Sequence, residues 1–290
     1  MKTAEIIERH RSAGREFQAA GVRSRVWEQG EGEAVLCIHG VPTSAFLYRK
    51  LLGELASRGL RGVAFDLPGM GLAERPEYFD YSWTGLGRFS LAAAEALGLE
   101  RYHLVVHDIG GPIGFELAAA APERVASLTI LNTMIEVDSF KRPWSMEPFA
   151  RRGIGEVYLR ATPAFAFRVL LRLQAIEDTD SISREEMNAY LKLLRMGDGG
   201  RAFLRIMRGF ERTAEKSRLY ASAVREVPYP VQLIWGDRDP ALPISDHGES
   251  LKRVTGVDAI HRLPAKHFLQ EDQAPAIAEL IARLAGSDPR

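Results

Sequence analysis

The sequence predicts an α/β fold, a mostly parallel central sheet flanked by helices and interrupted by a helical insertion. Three observations carry that reading. Short apolar runs that fit buried strands alternate with helix-patterned segments as far as residue 131. From about 136 to 226 the pattern is helical, with no convincing strand. Strand-like runs then resume at 231–235 and 259–263, and a helix-patterned stretch at 274–284 follows. Strands separated by helices imply parallel crossovers.

Taken in order, residues 22–28 read as a strand and Gly30-Glu31-Gly32 as the turn after it. Ala34-Val35-Leu36-Cys37-Ile38 is a continuous apolar run, the pattern of a strand buried on both faces. Residues 46–58 have helical spacing, with Leu47, Leu51, Leu52 and Leu55 on one face and Gly59 to stop the helix. A short strand is expected at 62–65, a helix at 83–97 ended by Gly98, and an apolar strand at 103–107. A helix over 110–121, closed by Pro122, and a strand over 125–131 complete the first half. The core domain is therefore expected to comprise 1–135 and 227–290, with 136–226 inserted as a helical cap, or lid. The insertion is rich in Arg, Phe, Met and Leu. Its Phe149 and Met207, with Phe268 from the core, are candidates to wall a pocket for a small apolar substrate.

Composition narrows the function. A chain of 290 residues is long enough for one sizeable core with an insertion. Hydrophobic residues at 46% and charged residues at 26% are ordinary for a globular enzyme. A formal net charge of zero gives no drive toward nucleic acid or an acidic membrane surface, and the pair Arg151-Arg152 reads as solvated surface. The single cysteine, Cys37, lies inside an apolar run; it has no partner for a disulfide and reads as a small core residue. The first fifteen residues lack the apolar centre of a signal peptide, and no stretch is long and apolar enough to span a bilayer. A cytoplasmic enzyme with no membrane partner is the expectation.

Four motifs carry chemistry. In Leu104-Val105-Val106-His107-Asp108-Ile109-Gly110-Gly111 an apolar strand runs into a polar residue and then two glycines that open a helix. That is the pattern of a nucleophile elbow, a strained strand-to-helix turn that presents one side chain at the sheet edge. Taken alone, Asp108 reads equally well as the N-cap of that helix, and Val106 stands where the usual G-x-S-x-G has its first glycine. Ile38-His39-Gly40-Val41-Pro42-Thr43 ends a buried strand with a loop placed to donate a backbone N–H to an oxyanion, most plainly from Val41. Leu233-Ile234-Trp235-Gly236-Asp237-Arg238-Asp239-Pro240 ends another strand in an acidic turn. Leu263-Pro264-Ala265-Lys266-His267-Phe268 puts a histidine just past the last strand. Nucleophile, acid and histidine in that order, each at a strand's C-terminal end, is the chain order of α/β-hydrolases.

From about residue 22 to 284 the chain resembles the haloalkane dehalogenase and epoxide hydrolase branch of the α/β-hydrolase fold. His39-Gly40-Val41-Pro42-Thr43-Ser44 with Tyr48-Arg49, Phe65-Asp66-Leu67-Pro68-Gly69-Met70-Gly71, and Val105-Val106-His107-Asp108 resemble the dehalogenases most closely. The resemblance implies Asp108 as nucleophile, His267 as base and Asp239 as acid, with Asp237 the runner-up for the acid. Asn132 falls where some members place the acid; it cannot ionise, and is kept as a tentative pocket residue. An ionised aspartate displaces a leaving group from saturated carbon and forms an alkyl ester, which water activated by histidine then hydrolyses. The N–H groups of Val41 and Ile109 are expected to form the oxyanion hole. No metal or organic cofactor is implied; substrate and water suffice.

The substrate is less sharply indicated. Dehalogenases resembling this chain carry Trp after the nucleophile and a second Trp or Asn elsewhere, to hold the departing halide. Here Ile109 and Val41 occupy the corresponding places and donate nothing from their side chains. Trp144, at the start of the insertion, is a remaining donor candidate, set against the plainer reading of a packing residue. The Asp-Ile-Gly-Gly elbow also resembles epoxide hydrolases, which use lid tyrosines as the acid. Tyr158, Tyr190 and Tyr220 lie in or near the insertion, each read as structural, and Met207 stands where a catalytic tyrosine is expected. A dehalogenase-like hydrolase is the leading expectation and an epoxide hydrolase the second. A ligand-binding protein, or another cofactor-free enzyme on this scaffold, completes the set.

Overall fold

The computed structural model describes residues 1–286. The C-terminal segment of the expected core domain is therefore seen to 286, and 287–290 lie outside the described residues. In chain order the first elements are α1 (Thr3–Ala13), β1 (Arg15–Ala19), β2 (Val22–Gln29), β3 (Ala34–Ile38), α2 (Arg49–Ala56) and β4 (Arg61–Phe65). Then come α3 (Trp83–Ala96), β5 (Tyr102–His107), α4 (Gly110–Ala120) and β6 (Val125–Leu131). Six helices follow before the next strand: α5 (Glu147–Ala150), α6 (Ile154–Ala161), α7 (Ala164–Gln174), α8 (Arg184–Leu194), α9 (Arg201–Arg208) and α10 (Ala214–Ser222). The chain closes with β7 (Val231–Gly236), α11 (Glu249–Thr255), β8 (Ile260–Leu263), α12 (Leu269–Asp272) and α13 (Ala274–Gly286).

The eight strands form one sheet in the order β1-β2-β4-β3-β5-β6-β7-β8. Its first two pairings, β1 with β2 and β2 with β4, are antiparallel; the rest are parallel. Every residue of β3, β5 and β6 is buried, as parallel strands covered on both faces require. The period-two alternation of a strand divides these side chains between two cores. Leu36, Ile38, Leu104 and Val106 face the side packed by Phe89 and Ala93 of α3 and by Ile113 and Leu117 of α4. Val35, Cys37 and Val105 face Leu51 and Leu55 of α2 and Ile277 and Ile281 of α13. Cys37 is wholly buried, and burial pushes its thiol well above the usual range.

The expected strands and helices are present, with ends displaced by a residue or two. Residues 46–58 are not one helix: Ala45–Tyr48 forms a single 3-10 turn and the α-helix starts at Arg49. Two N-terminal elements, α1 and β1, were not expected. α1 turns only Ile7 and His10 inward, too few apolar positions to mark a helix by periodicity. His10 stacks on Trp27 at 4.0 Å between ring centroids, and burial drives its pKa down to about 3. No helix among the described residues is long and apolar enough to cross a membrane.

Candidate active site

β5 ends at His107, and the next residue, Asp108, adopts a left-handed backbone with φ of 55°. For a residue with a Cβ that conformation is strained by about 1–3 kcal/mol and persists only where the surroundings impose it. They do so from three sides. The Asp108 N–H donates to the Asn132 carbonyl at 3.0 Å, and its own carbonyl accepts from the Gly111 N–H at 3.0 Å and from Thr133 Oγ1 at 2.5 Å. The glycines around the turn are sterically required: a Cβ on Gly40 would lie 2.2 Å from Asp108 Oδ1, and one on Gly111 2.0 Å from Thr133 Oγ1. The elbow lacks its usual first glycine, and the room appears one turn into α4 instead. There a Cβ on Gly114 would meet Val106 Cγ1 at 2.3 Å.

The Asp108 carboxylate sits between two groups. Its Oδ1 accepts the Val41 N–H at 2.7 Å, and its Oδ2 lies 3.4 Å from His267 Nε2. His267 Nδ1 is 2.7 Å from Asp239 Oδ2, which also accepts from Asn132 Nδ2 at 2.7 Å. The other oxygen of Asp239 accepts the N–H groups of Ala241 and Leu242 at 2.7 and 3.1 Å. Asp108, His267 and Asp239 are thus brought together from the ends of three strands, and all are buried. Asp237 points into solvent. Burial opposes charge on His267, but the carboxylates of Asp239 and Asp108 outweigh it and raise its pKa to about 10. Burial likewise opposes charge on Asp239, yet His267, Asn132 and the Leu242 N–H hold its carboxyl below the ordinary range.

Two further histidines hold the frame. His39 Nε2 accepts the Leu67 N–H at 3.0 Å, so its Nδ1 carries the proton and donates to the Gly40 carbonyl at 2.9 Å. Burial lowers its pKa to about 4, and the neutral ring pins the loop that carries the Val41 N–H. His107 Nε2 donates to the His267 carbonyl at 2.7 Å. Burial, then the nearby His267, bring His107 down to about 3, so it too is neutral. The His267 loop is also tied to the end of α7: the N–H groups of His267 and Phe268 donate to the carbonyls of Gln174 and Ala175 at 3.4 and 2.7 Å. Lys266 turns away, donating from Nζ to the Arg172 carbonyl at 2.7 Å.

Above Asp108 lies a cavity of about 100 Å³. Val41, Ile109, His267 and Phe268 line it beside Asp108, and Phe140, Phe149, Phe167, Leu171, Met207 and Phe210 supply much of the apolar wall. Phe149, Met207 and Phe268, candidates from the sequence, are in this lining. Trp144 and Asn132 are not. Trp144 is 71% exposed and outside the lining. Asn132 is fully buried beneath the site, where it donates to Asp239 and accepts the Gly236 N–H at 2.8 Å; a residue that joins two strand ends has no atom left for the cavity. Of the three tyrosines, Tyr190 and Tyr220 are buried with hydroxyls donated to Glu271 and Glu116, while Tyr158 lines the cavity. Arg142, not singled out from the sequence, lines it too. Its only signal was its place in the apolar stretch that opens the insertion. Among the described residues no cluster of His, Cys, Asp and Glu could hold a metal ion.

A family model described as the alpha/beta hydrolase fold matches residues 33–274. The chain is 30% identical over 279 residues to haloalkane dehalogenase 2 of Mycobacterium bovis, covering 93% of this chain and 94% of the relative. It is 28% identical over 256 residues to a haloalkane dehalogenase of Mycolicibacterium paratuberculosis, covering 87% and 83%. Among solved structures it superposes on Cfl2 from Burkholderia cenocepacia with a TM-score of 0.80 at 24% identity, covering 93% and 94% of the two chains. The haloalkane dehalogenase DbeA from Bradyrhizobium elkani matches with a TM-score of 0.76 at 23% identity, covering 94% and 99%. The epoxide hydrolase VrEH1 from Vigna radiata matches with a TM-score of 0.76 at 24% identity, covering 93% and 96%. The chain belongs to the α/β-hydrolase superfamily, on its haloalkane dehalogenase side, and is a hydrolase.

Proposed function

We propose that the chain hydrolyses small apolar substrates through an ester on Asp108, in the manner of a haloalkane dehalogenase. The observation that carries this reading is the Asp108 carboxylate, with one oxygen on the Val41 N–H at 2.7 Å and the other 3.4 Å from His267. An ionised carboxylate in an apolar cavity is a ready nucleophile toward saturated carbon: a C–O bond forms as the leaving group departs with its electron pair. His267 then removes a proton from water, which adds to the ester carbonyl. The N–H groups of Val41 and Ile109 stabilise the oxyanion as the tetrahedral intermediate collapses to product and free Asp108. Asp239 orients the imidazole and stabilises its charged form. Residues 136–226 act as the cap that supplies most of the apolar wall.

The electrostatics suit a base that is switched on by the first step. In the free enzyme His267 is held protonated by two carboxylates. Alkylation converts Asp108 to a neutral ester and removes one of them, so the imidazole loses its proton more readily when a base is needed. An epoxide is the second substrate reading, favoured by the Tyr158 ring in the cavity wall and by the absence of a side-chain N–H at Ile109 and Val41.

Intact-mass measurement of His267→Ala after exposure to bromoalkanes and epoxides tests both. Without its base the enzyme accumulates the ester. An adduct of substrate less hydrogen halide supports dehalogenation, and an adduct of the whole epoxide supports ring opening. No adduct from any of these probes would sink the Asp108 ester for both classes.

A further inference from the structure

We infer that the cavity takes a substrate bearing a carboxylate, held by the Arg142 guanidinium while the electrophilic carbon meets Asp108. The inference rests on the reading of Asp108 as the attacking group.

Arg142 is the one Lys or Arg in a wall otherwise dominated by Phe, Leu and Met. Its side chain is only 7% exposed. Nη2 donates to the Met207 carbonyl at 2.8 Å, and the guanidinium lies over the Phe210 ring at 4.7 Å. Nε is buried with no hydrogen-bond partner among the described residues. Among the described residues the only carboxylate paired with Arg142 is Glu147, whose Oε2 is 3.8 Å from Nη1 and whose side chain is 42% exposed. Asp108 is already engaged by Val41 and His267, so it offers Arg142 no counter-charge.

Arg49 shows how this chain satisfies a buried guanidinium. It contacts Glu186 at 2.9 Å and pairs with the fully buried Glu271 through both nitrogens. Arg142 has no such partner, and Arg212, which donates to the Phe140 carbonyl at 3.1 Å, adds a second positive charge nearby. Burial first, and Arg212 next, lower the Arg142 pKa from its ordinary value, against Glu147. A largely buried cation whose counter-ion is part-exposed and 3.8 Å away gains most from a carboxylate that brings its charge into the cavity. The planar guanidinium suits that group geometrically. The substrate is therefore amphiphilic, with an apolar chain along the Phe and Leu wall, an anion at Arg142 and a leaving group at Asp108.

The test uses hexanoate and hexanol as unreactive probes, and ω-bromohexanoate and bromohexane as reactive ones. With ω-bromohexanoate the Asp108–carbon bond forms as bromide leaves, and water releases ω-hydroxyhexanoate, Asp108 and a proton. Calorimetry at neutral pH should show hexanoate binding the wild-type protein roughly tenfold or more tighter than hexanol. Arg142→Met should abolish or invert that preference, and Arg142→Lys, which keeps the charge, should retain part of it. Bromide release should follow the same order, with the ratio of ω-bromohexanoate to bromohexane falling in Arg142→Met. Equal binding of the two probes by the wild type overturns the inference, whatever the variants do, and so does a parallel loss of both in a folded Arg142→Met. Preferential hexanoate binding without turnover of either bromide would uphold the anion site and count against the Asp108 ester, which separates the two failures.

Discussion

A histidine between two carboxylates is a pH-dependent element of stability. Because the folded-state pKa of His267, about 10, lies above the ordinary 6.5, its ion pairs contribute fully below pH 6.5 and are lost as pH rises through 10. The unfolding free energy of the wild type should therefore fall across that window in urea titrations, and His267→Gln should flatten the fall. An unchanged slope would mean that the imidazole is not held charged. Asn132 makes a second prediction at this scale. Its amide donates to Asp239 and joins β6 to β7, so Asn132→Ala removes a bond to a buried carboxylate. Such bonds are worth about 1.5–3 kcal/mol. Activity should drop further than stability alone explains, with the optimum moved in pH, because Asp239 would hold His267 less firmly.

At the scale of the element, the elbow is a packing solution spread over a strand, a turn and a helix. Val106 fills the space that a glycine usually leaves open, and Gly114 on α4 makes room for it. Gly114→Ala puts a methyl 2.3 Å from Val106 Cγ1 in a fully buried interface. Overpacking of this kind costs about 1–3 kcal/mol. The double variant Val106→Ala with Gly114→Ala should recover part of that loss, and thermal denaturation of all three variants gives the coupling. Additive losses would show that the two side chains do not compete for one space.

At the scale of the whole molecule, the helical segment and the sheet domain are tied together beside the site. Glu271 of α12, four residues past His267, is fully buried and pairs with Arg49 and with Lys50, the latter at 3.0 Å. Its Oε1 also accepts the Tyr190 hydroxyl of α8 at 2.5 Å. Removing one partner of a buried ion pair strands the others, at about 3–5 kcal/mol. Glu271→Ala should lower the midpoint of urea unfolding accordingly. It should also slow turnover, since the same residue anchors the loop that carries His267 to α8. A variant as stable as the wild type would show that solvent already compensates these charges.

The sequence by itself determined the α/β rhythm and the run of helices between β6 and β7, and it singled out Asp108, His267 and Asp239 as candidates. Strand burial, glycine placement and chain order are local or one-dimensional signals, and they survive in a single sequence. The preference for Asp239 over Asp237 is a spacing from Gly236, and it is Asp239 that meets His267. Only the tertiary structure decided what surrounds the three side chains. Trp144 turned outward, Asn132 went under the site, and Tyr158 and Arg142 came to the cavity, because helices of the insertion meet the sheet through contacts that no short window encodes. α1 and β1 are not legible in the sequence, since their few buried positions take meaning only against Trp27 and β2. His39 and His107 look alike on paper beside His267. Burial makes the first two neutral braces, and two nearby carboxylates make the third a cation, a difference that arises from neighbours distant in sequence.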